Sequence, residues 1–239
     1  MAQTTATQDK DELEFELANL MDFAKIENER GDYYNAKDKF EKAQAIAVTL
    51  KDRKSEGIIY TKLAKIQFFI GEDDAAISSL NKAAEIQRAI EDSPNLALTY
   101  NVRGFIHYIR KEYQTALDYF KSAKNLFEEN DLDQYISEVM LNQARVFYKI
   151  EKYELSKDHL EQAIISARAY DQDRIRGNAL VLSAKVSTKL GNLDLALTQA
   201  KEAIEIAKSI KGDEIINDAY FTLNTIYQRQ ENFKEANFY

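Results

Sequence analysis

Apolar residues recur at intervals of three and four along most of the chain, in pairs of segments separated by short turns. In one pair, residues 57–70 and 73–90 each carry such a stripe, which predicts two amphipathic helices. The stripes contain Tyr60, Leu63, Ala64 and Gln67 in the first segment and Ala76, Leu80, Ala83 and Gln87 in the second. Because only Gly71 and Glu72 separate the segments, the helices are predicted to lie antiparallel.

The same pattern repeats every 40 residues. A small residue marks each copy, at Ala36, Ala76, Ala116, Ser156, Ala196 and Ala236. A fixed interval indicates a stack of equivalent two-helix units rather than one globular core. The predicted repeats span about residues 13–52, 53–92, 93–132, 133–172 and 173–212, with a partial repeat over 213–239.

The chain is therefore predicted to be all-α, with about five and a half helix hairpins in a single array over residues 13–239. One proline and seven glycines leave few residues that break helices. Residues 1–12 are polar without an apolar period, and they are predicted to form a disordered tail. Polar residues recur before each new first helix, and they are predicted to be N-caps: Ser93, Asp133, Asp173 and Asp213.

The repeated residues resemble the tetratricopeptide repeat. In the third copy the matching residues are Tyr100, Gly104, Ala116, Phe120 and Ala123. The resemblance covers residues 13–239 and implies an α-α superhelix whose first helices line a concave groove for peptides or partner proteins. The period of 40 exceeds the family's usual length of about 34. It resembles the longer repeats of kinesin light chains and of bacterial peptide-sensing regulators.

Composition narrows the possible functions. A net charge of −8 argues against nucleic acid as a partner of this chain. Without cysteine the chain has no disulfide, thiol nucleophile or cysteine-based metal site. No apolar run approaches the roughly 20 residues of a membrane-spanning helix. Localisation stays open between cytoplasm and periplasm.

Sequence motifs of catalysis are missing. There is no glycine-rich phosphate loop, paired-histidine zinc motif or nucleophile elbow. Acidic residues are spread along the predicted solvated faces, and the two histidines, His107 and His159, do not recur with the repeat. We therefore expect no enzymatic activity, no catalytic residue, no cofactor and no metal site.

One face of each predicted first helix points away from the second helix, about five residues after the large packing residue. At the 40-residue interval this position holds Lys25, Lys65, Phe105, Arg145 and Lys185. Further along the same face lie Phe68, Tyr108, Tyr148, Lys149 and Lys189. We call these ten the predicted groove residues. Aromatic rings with cations beside them favour an extended acidic or carboxylate-bearing peptide.

A structural alternative accounts for the same residues. The aromatic side chains would pack between neighbouring first helices, and the lysines would be ordinary solvated charges. The sequence leaves both interpretations open.

The function expected from these observations is a non-catalytic scaffold that binds a protein or extended peptide. The alternative is a ligand- or peptide-sensing regulatory domain of a longer signalling protein, a histidine kinase or a transcription regulator. The sixth copy ends within its second helix, with Phe238 and Tyr239 as the last aromatic residues. This end suggests either a fragment of a longer bacterial protein or a homodimer through the unfinished repeat.

Overall fold

The structure, a computed structural model, describes the backbone of residues 2–236 and the side chains of residues 9–232 and 234–236. Phe238 and Tyr239 lie outside the described residues, as does the side chain of Phe233. Within residues 2–236 every regular element is a helix. The prediction of an all-α chain of helix hairpins is confirmed.

Six hairpins follow one another along the chain. The first helices of the hairpins are α1 (Ala2–Glu29), α3 (Arg53–Phe69), α5 (Ser93–Ile109), α7 (Ile136–Lys149, after a 3-10 turn over Asp133–Tyr135), α9 (Asp173–Lys189) and α11 (Asp213–Arg229). The second helices are α2 (Tyr33–Leu50), α4 (Asp73–Ala89), α6 (Tyr113–Glu129), α8 (Tyr153–Ala169), α10 (Leu193–Ser209) and α12 (Phe233–Ala236).

Segment 1–12, which the sequence predicts to be a disordered tail, belongs to helix α1 from Ala2 onward. No proline or glycine precedes Gly31, so no residue of this segment opposes helix propagation. The side chain of Leu17 is buried against α2, which anchors the C-terminal part of α1.

All turns between helices share one geometry with an interval of 20 residues, because every twentieth residue from Gly31 to Glu231 has a positive φ. At the turn after α3, Gly71 N–H donates to Phe68 O over 3.1 Å and Glu72 N–H donates to Gln67 O over 2.7 Å. This pair of bonds is the Schellman motif, which satisfies carbonyl groups at a helix C-terminus.

The residues predicted as N-caps begin their helical segments instead, so that prediction was wrong by one position. The caps lie one residue earlier, and Asp32, Asp52 and Asp92 each accept a hydrogen bond from the backbone N–H three residues further on. Each turn consists of one residue in the left-handed αL conformation followed by the N-cap residue. The residue after the N-cap therefore already has helical geometry. An acidic residue there, such as Asp173, still complements the helix dipole.

The small residue that marks each repeat is buried where helices pack together. Ala36, Ala76, Ala116 and Ala196 have no exposed surface. Ser156 takes the same place in the fourth copy, and its Oγ donates to Ala144 O over 2.9 Å. Ser156 can be buried because its hydroxyl group has a hydrogen-bond partner.

Contacts divide the chain into two compact units, Met1–Arg110 and Lys111–Tyr239. In the first unit, α2 and α3 share an apolar cluster that includes Phe40, Leu63 and Ile66. In the second unit, Leu160 and Val186 belong to one cluster, and Leu180, Leu223 and Ile226 belong to another. Each unit thus carries cores between its own helices.

Candidate functional site

The predicted groove residues all lie on first helices of the hairpins, and all are exposed or half-buried. Five of them belong to Met1–Arg110, namely Lys25, Lys65, Phe68, Phe105 and Tyr108. The other five belong to Lys111–Tyr239, namely Arg145, Tyr148, Lys149, Lys185 and Lys189. The two sets differ in chemistry.

In the first unit the aromatic side chains form one cluster. The ring of Phe69 lies 6.3 Å from that of Phe68 and 6.2 Å from that of Phe105, in tilted geometry. Tyr33 of α2 stacks on Phe69 at 5.4 Å, and Tyr108 lies 6.2 Å from Phe105. These centroid separations fall in the favourable range for aromatic pairs. The cluster joins α2, α3 and α5 and still leaves Phe69 43% exposed.

This arrangement matches part of the structural alternative, since aromatic rings do pack between the neighbouring first helices α3 and α5. The same rings keep solvent-exposed area. Lys25 and Lys65 are exposed on the helices that carry or flank the cluster. The first unit therefore presents an aromatic surface with cations on its helices.

In the second unit, α7, α9 and α11 enclose a cavity of about 470 Å³. Four cationic side chains line it, together with Tyr148, Phe221 and three threonines: Lys149, Lys185, Lys189 and Arg229. No aspartate or glutamate is among the described residues that line the cavity. A concave site with several cations and no lining carboxylate favours an anionic group.

Two contacts hold cations at the cavity wall. Lys185 Nζ lies 2.5 Å from Asp218 Oδ1, so one of the positive charges is already paired. Arg229 Nη1 donates to the backbone carbonyl of Thr188 over 2.9 Å, which fixes its guanidinium between α9 and α11. Lys149 and Lys189 are exposed.

Tyr148 is half-buried at the cavity, and burial raises the pKa of its hydroxyl. Tyr153 and Asp218 add to this rise, whereas the nearby Arg229 lowers the pKa. The rings of Tyr148 and Tyr153 lie 5.7 Å apart. A neutral phenol at this place can donate a hydrogen bond to a bound anion.

Arg145, which the sequence grouped with these residues, does not line the cavity. Its Nη1 donates to Asn142 Oδ1 of the same helix over 2.8 Å. The guanidinium is thus held along α7.

Sequence reasoning missed several residues of these surfaces, including Phe221 and the threonines of the cavity, and two of those missed are Phe69 and Arg229. Both occupy the repeat position that also holds Lys149 and Lys189, since Phe69, Lys149, Lys189 and Arg229 are separated by multiples of 40. Reading this single position along the whole chain would have identified both. It would also have shown that the position holds Glu29, Phe69 and Ile109 in the first unit but only basic residues in the second.

The described part of the chain also contains histidines and many carboxylates outside these surfaces. No group of three or more histidine, cysteine, aspartate and glutamate side chains there could hold a metal ion. His159 packs its ring 4.8 Å from Phe147 and places Nδ1 2.9 Å from Leu155 O. Among the described helices, none is long and apolar enough to cross a membrane.

Family models of the tetratricopeptide repeat match residues 58–90 and residues 91–169. A comparison with curated proteins gave no match. Solved structures share the fold at low sequence identity. The chain is similar to a signal transduction ATPase with numerous domains and a tetratricopeptide repeat sensor from Pyrococcus horikoshii, at 20% identity and a TM-score of 0.73. The match covers 91% of this chain and 33% of the archaeal protein, so the chain spans about a third of its length.

Two further solved structures are also similar. Aspartyl phosphate phosphatase F from Bacillus subtilis is 16% identical with a TM-score of 0.71, and the match covers 99% of this chain and 71% of the phosphatase. NprR, solved in complex with its cognate peptide NprX, is 19% identical with a TM-score of 0.70. That match covers 92% of this chain and 64% of NprR.

These identities by themselves show a shared fold. The family models add sequence evidence over residues 58–169, and the hairpins of the structure continue the same pattern on both sides of that range. The chain is a tetratricopeptide-repeat protein with a period of 40 residues.

Proposed function

We propose that the chain is a non-catalytic scaffold that binds an extended, acidic peptide or a protein segment of that kind through its first helices. Each unit contributes its own surface. The first unit offers Lys25, Lys65, Phe68, Phe105 and Tyr108, together with Phe69. The second offers Tyr148, Lys149, Lys185, Lys189 and Arg229, with Arg145 held along α7 nearby in sequence.

The observation that carries the proposal is the basic cavity between α7, α9 and α11. Four cations line it in a chain whose net charge is −8, and among the described residues only Lys185 of these four has a carboxylate partner. Cations that face one concavity are mutually repulsive unless an anion binds between them. A carboxylate would relieve this repulsion and accept charge-assisted hydrogen bonds.

The aromatic cluster of the first unit supports a peptide rather than a small free anion. Half-buried rings such as Phe68 and Phe105 offer flat apolar area that packs against side chains of an extended chain. Proteins often recognise an extended peptide through hydrogen bonds to its backbone, together with pockets for its alternate side chains. NprR, which shares the fold, was solved with a peptide bound.

The proposal is tested by selecting binders from a phage-displayed library of linear peptides on the immobilised full chain. We expect enrichment of sequences rich in aspartate and glutamate. The affinity of an enriched peptide for the variant Lys149→Glu with Lys189→Glu should fall at least tenfold, about 1.4 kcal/mol. Fluorescence anisotropy measures this affinity.

A matched control reverses two exposed lysines on second helices, Lys121→Glu with Lys201→Glu. The net charge changes equally, so long-range attraction is weakened to the same extent, but the cavity keeps its cations. Equal loss of affinity in both variants, or enrichment of neutral or basic peptides, contradicts the cavity as the binding site.

A second candidate is a sensor domain of a longer signalling protein. The observation behind it is that the chain matches 33% of an ATPase with a tetratricopeptide repeat sensor and 64% of NprR. The reading frame of the gene around this segment tests it. A kinase or a helix-turn-helix domain in the same frame supports the sensor, and a frame with repeats alone supports the scaffold.

A further inference from the structure

Helix α1 has an apolar stripe that faces solvent. Three large apolar side chains on it are unusually exposed, with Phe15 71%, Phe23 56% and Ile26 42% accessible. With Glu12, Asn19 and Arg30 they follow the spacing 3, 4, 4, 3, 4, which places all six on one face of a helix. We call Glu12, Phe15, Asn19, Phe23, Ile26 and Arg30 the α1 stripe.

Two positions of the stripe, those of Asn19 and Ile26, are buried in all the later repeats. The residues equivalent to Ile26 are almost fully buried in all five later copies: Ile66, Ile106, Val146, Val186 and Ile226. The residues equivalent to Asn19 are fully buried as well: Ile59, Thr99, Val139, Ala179 and Ala219. In the first unit α2 covers Ile59 and Ile66 of α3. At these positions α1 therefore presents a helix-packing surface against which no described helix packs.

Because α2 runs into α3 through a short turn, the helix that covers this face in α3 is antiparallel to it. A helix that completes α1 in the same way must be amphipathic and antiparallel. The α1 stripe itself meets this description. We infer that α1 pairs with α1 of a second copy of this chain, antiparallel and about a two-fold axis at the level of Met21.

Charge complementarity supports this occupant. Glu12 and Arg30 both lie nine residues from Met21, so antiparallel pairing brings Glu12 of one copy opposite Arg30 of the other. Both side chains are exposed, and Arg30 N–H still donates to Ile26 O, so Arg30 continues the helical path. Between these two charge pairs, Phe15 meets Ile26 and Phe23 meets Asn19. A two-fold interface of this kind is self-complementary and closes at two copies.

One contact opposes the pairing. Asp22 is exposed at the edge of the stripe, and the two copies of it lie close to the axis. Like charges at this separation repel, so Asp22→Asn is expected to strengthen the dimer. The pairing leaves the proposed peptide surface open, because Lys25 points about 120° away from Asn19 around the helix. The inference does not depend on the proposed function.

The experiment is sedimentation equilibrium of the full chain over a dilution series. The wild type should pass from twice the mass of one chain to the mass of one chain as it is diluted. Phe23→Glu with Ile26→Glu should stay at one chain, with an unchanged helical circular dichroism spectrum. The control Ile165→Glu places a charge at an apolar position of similar exposure (69%) on α8. This variant should dimerise as the wild type does.

Charge reversal gives the sharper test. Glu12→Arg alone and Arg30→Glu alone each place like charges opposite one another, so both should weaken the homodimer. An equimolar mixture of the two variants restores both pairs across copies and should dimerise like the wild type. A wild type that stays at one chain at all concentrations overturns the inference. So does a dimer that ignores these substitutions, or single variants that do not recover on mixing.

Discussion

Single residues set the turns of this protein. Eight of the positive-φ turn positions hold residues other than glycine, such as Glu91, Lys111 and Glu151, and three hold glycine. A residue with a Cβ atom pays a conformational penalty there of roughly 1 kcal/mol. The repeat tolerates this penalty because the Schellman hydrogen bonds fix the turn. The turn geometry is therefore uniform although its sequence is not.

Glu151→Gly should raise the free energy of unfolding by about 1 kcal/mol, because Glu151 has φ 61° and glycine adopts this conformation without strain. Urea denaturation followed by circular dichroism measures the change. The control Gln162→Gly, at an exposed position of the following helix α8, should lower stability by about 1 kcal/mol. Destabilisation by Glu151→Gly would show that the turn does not have αL geometry.

The pKa of Tyr148 depends on the charged side chains around the cavity, which is again an effect of single residues. Arg229→Gln should raise this pKa further, and Asp218→Asn should lower it, because Arg229 lowers and Asp218 raises the pKa. NMR of tyrosine labelled with ¹³C at Cζ measures the titration, and Tyr148→Phe identifies the signal. The folded-state pKa of Tyr148 lies above the ordinary 10.0, so the folded protein holds the phenol proton more tightly than the unfolded chain does. The stability that comes from this difference is full below pH 10 and is lost as pH rises through the raised pKa. An unchanged pKa of Tyr148 in both variants would show that Arg229 and Asp218 do not influence its hydroxyl group.

At the scale of the helices, hydrogen bonds between buried polar side chains join neighbouring helices. In the first unit Thr99 Oγ1 of α5 donates to Gln87 Oε1 of α4 over 2.7 Å, and Gln87 Nε2 lies 3.3 Å from both Gly57 O and Thr61 Oγ1 of α3. Gly57 permits this approach, since a Cβ there would lie 3.2 Å from Gln87 Cγ. One glutamine thus connects three helices.

Gln87→Ala should lower the free energy of unfolding by about 2–4 kcal/mol, because it leaves Thr61 and Thr99 with fewer partners and opens a cavity. Gln87 is 1% exposed, so its truncation leaves a buried space. Gln114→Ala, at an exposed site of α6, should change stability by less than about 0.5 kcal/mol. Equal effects in thermal or urea denaturation would argue against the network.

The whole molecule consists of two compact units built from the same repeat but with different surfaces. The position that holds Phe69 and Ile109 in the first unit holds Lys149, Lys189 and Arg229 in the second. Phe69 packs in the aromatic cluster, whereas Lys149, Lys189 and Arg229 line the cavity, so the same repeat position serves different surfaces in the two units. Repeat proteins can vary in this way because each hairpin contacts only its neighbours.

Removal of one whole repeat should preserve the fold. Deletion of residues 53–92 joins Asp52 to Ser93, and Asp52 can then cap α5 as Asp92 does now through Asn95 N–H. Circular dichroism should show unchanged helicity per residue and a lower melting temperature. Deletion of residues 53–72 removes one helix only, which places α4 in the position of α3 and should greatly reduce cooperative unfolding. Similar behaviour of both deletions would contradict a 40-residue unit.

The sequence by itself determined the helix hairpins, their 40-residue interval and the face of each first helix, because helical periodicity and small packing residues are local properties of the chain. It also located four of the nine residues that line the basic cavity: Tyr148, Lys149, Lys185 and Lys189. It did not locate the N-caps, which depend on backbone geometry at the turn and were off by one residue.

Tertiary structure decided which of these residues come together. The spacing places Arg145 with Lys185, yet only Lys185 lines the cavity, because side-chain direction depends on hydrogen bonds such as that from Arg145 to Asn142. The exposure of Phe23 and Ile26 is also a tertiary property. Their sequence pattern is that of buried residues, and only the absence of a covering helix among the described residues makes them a surface.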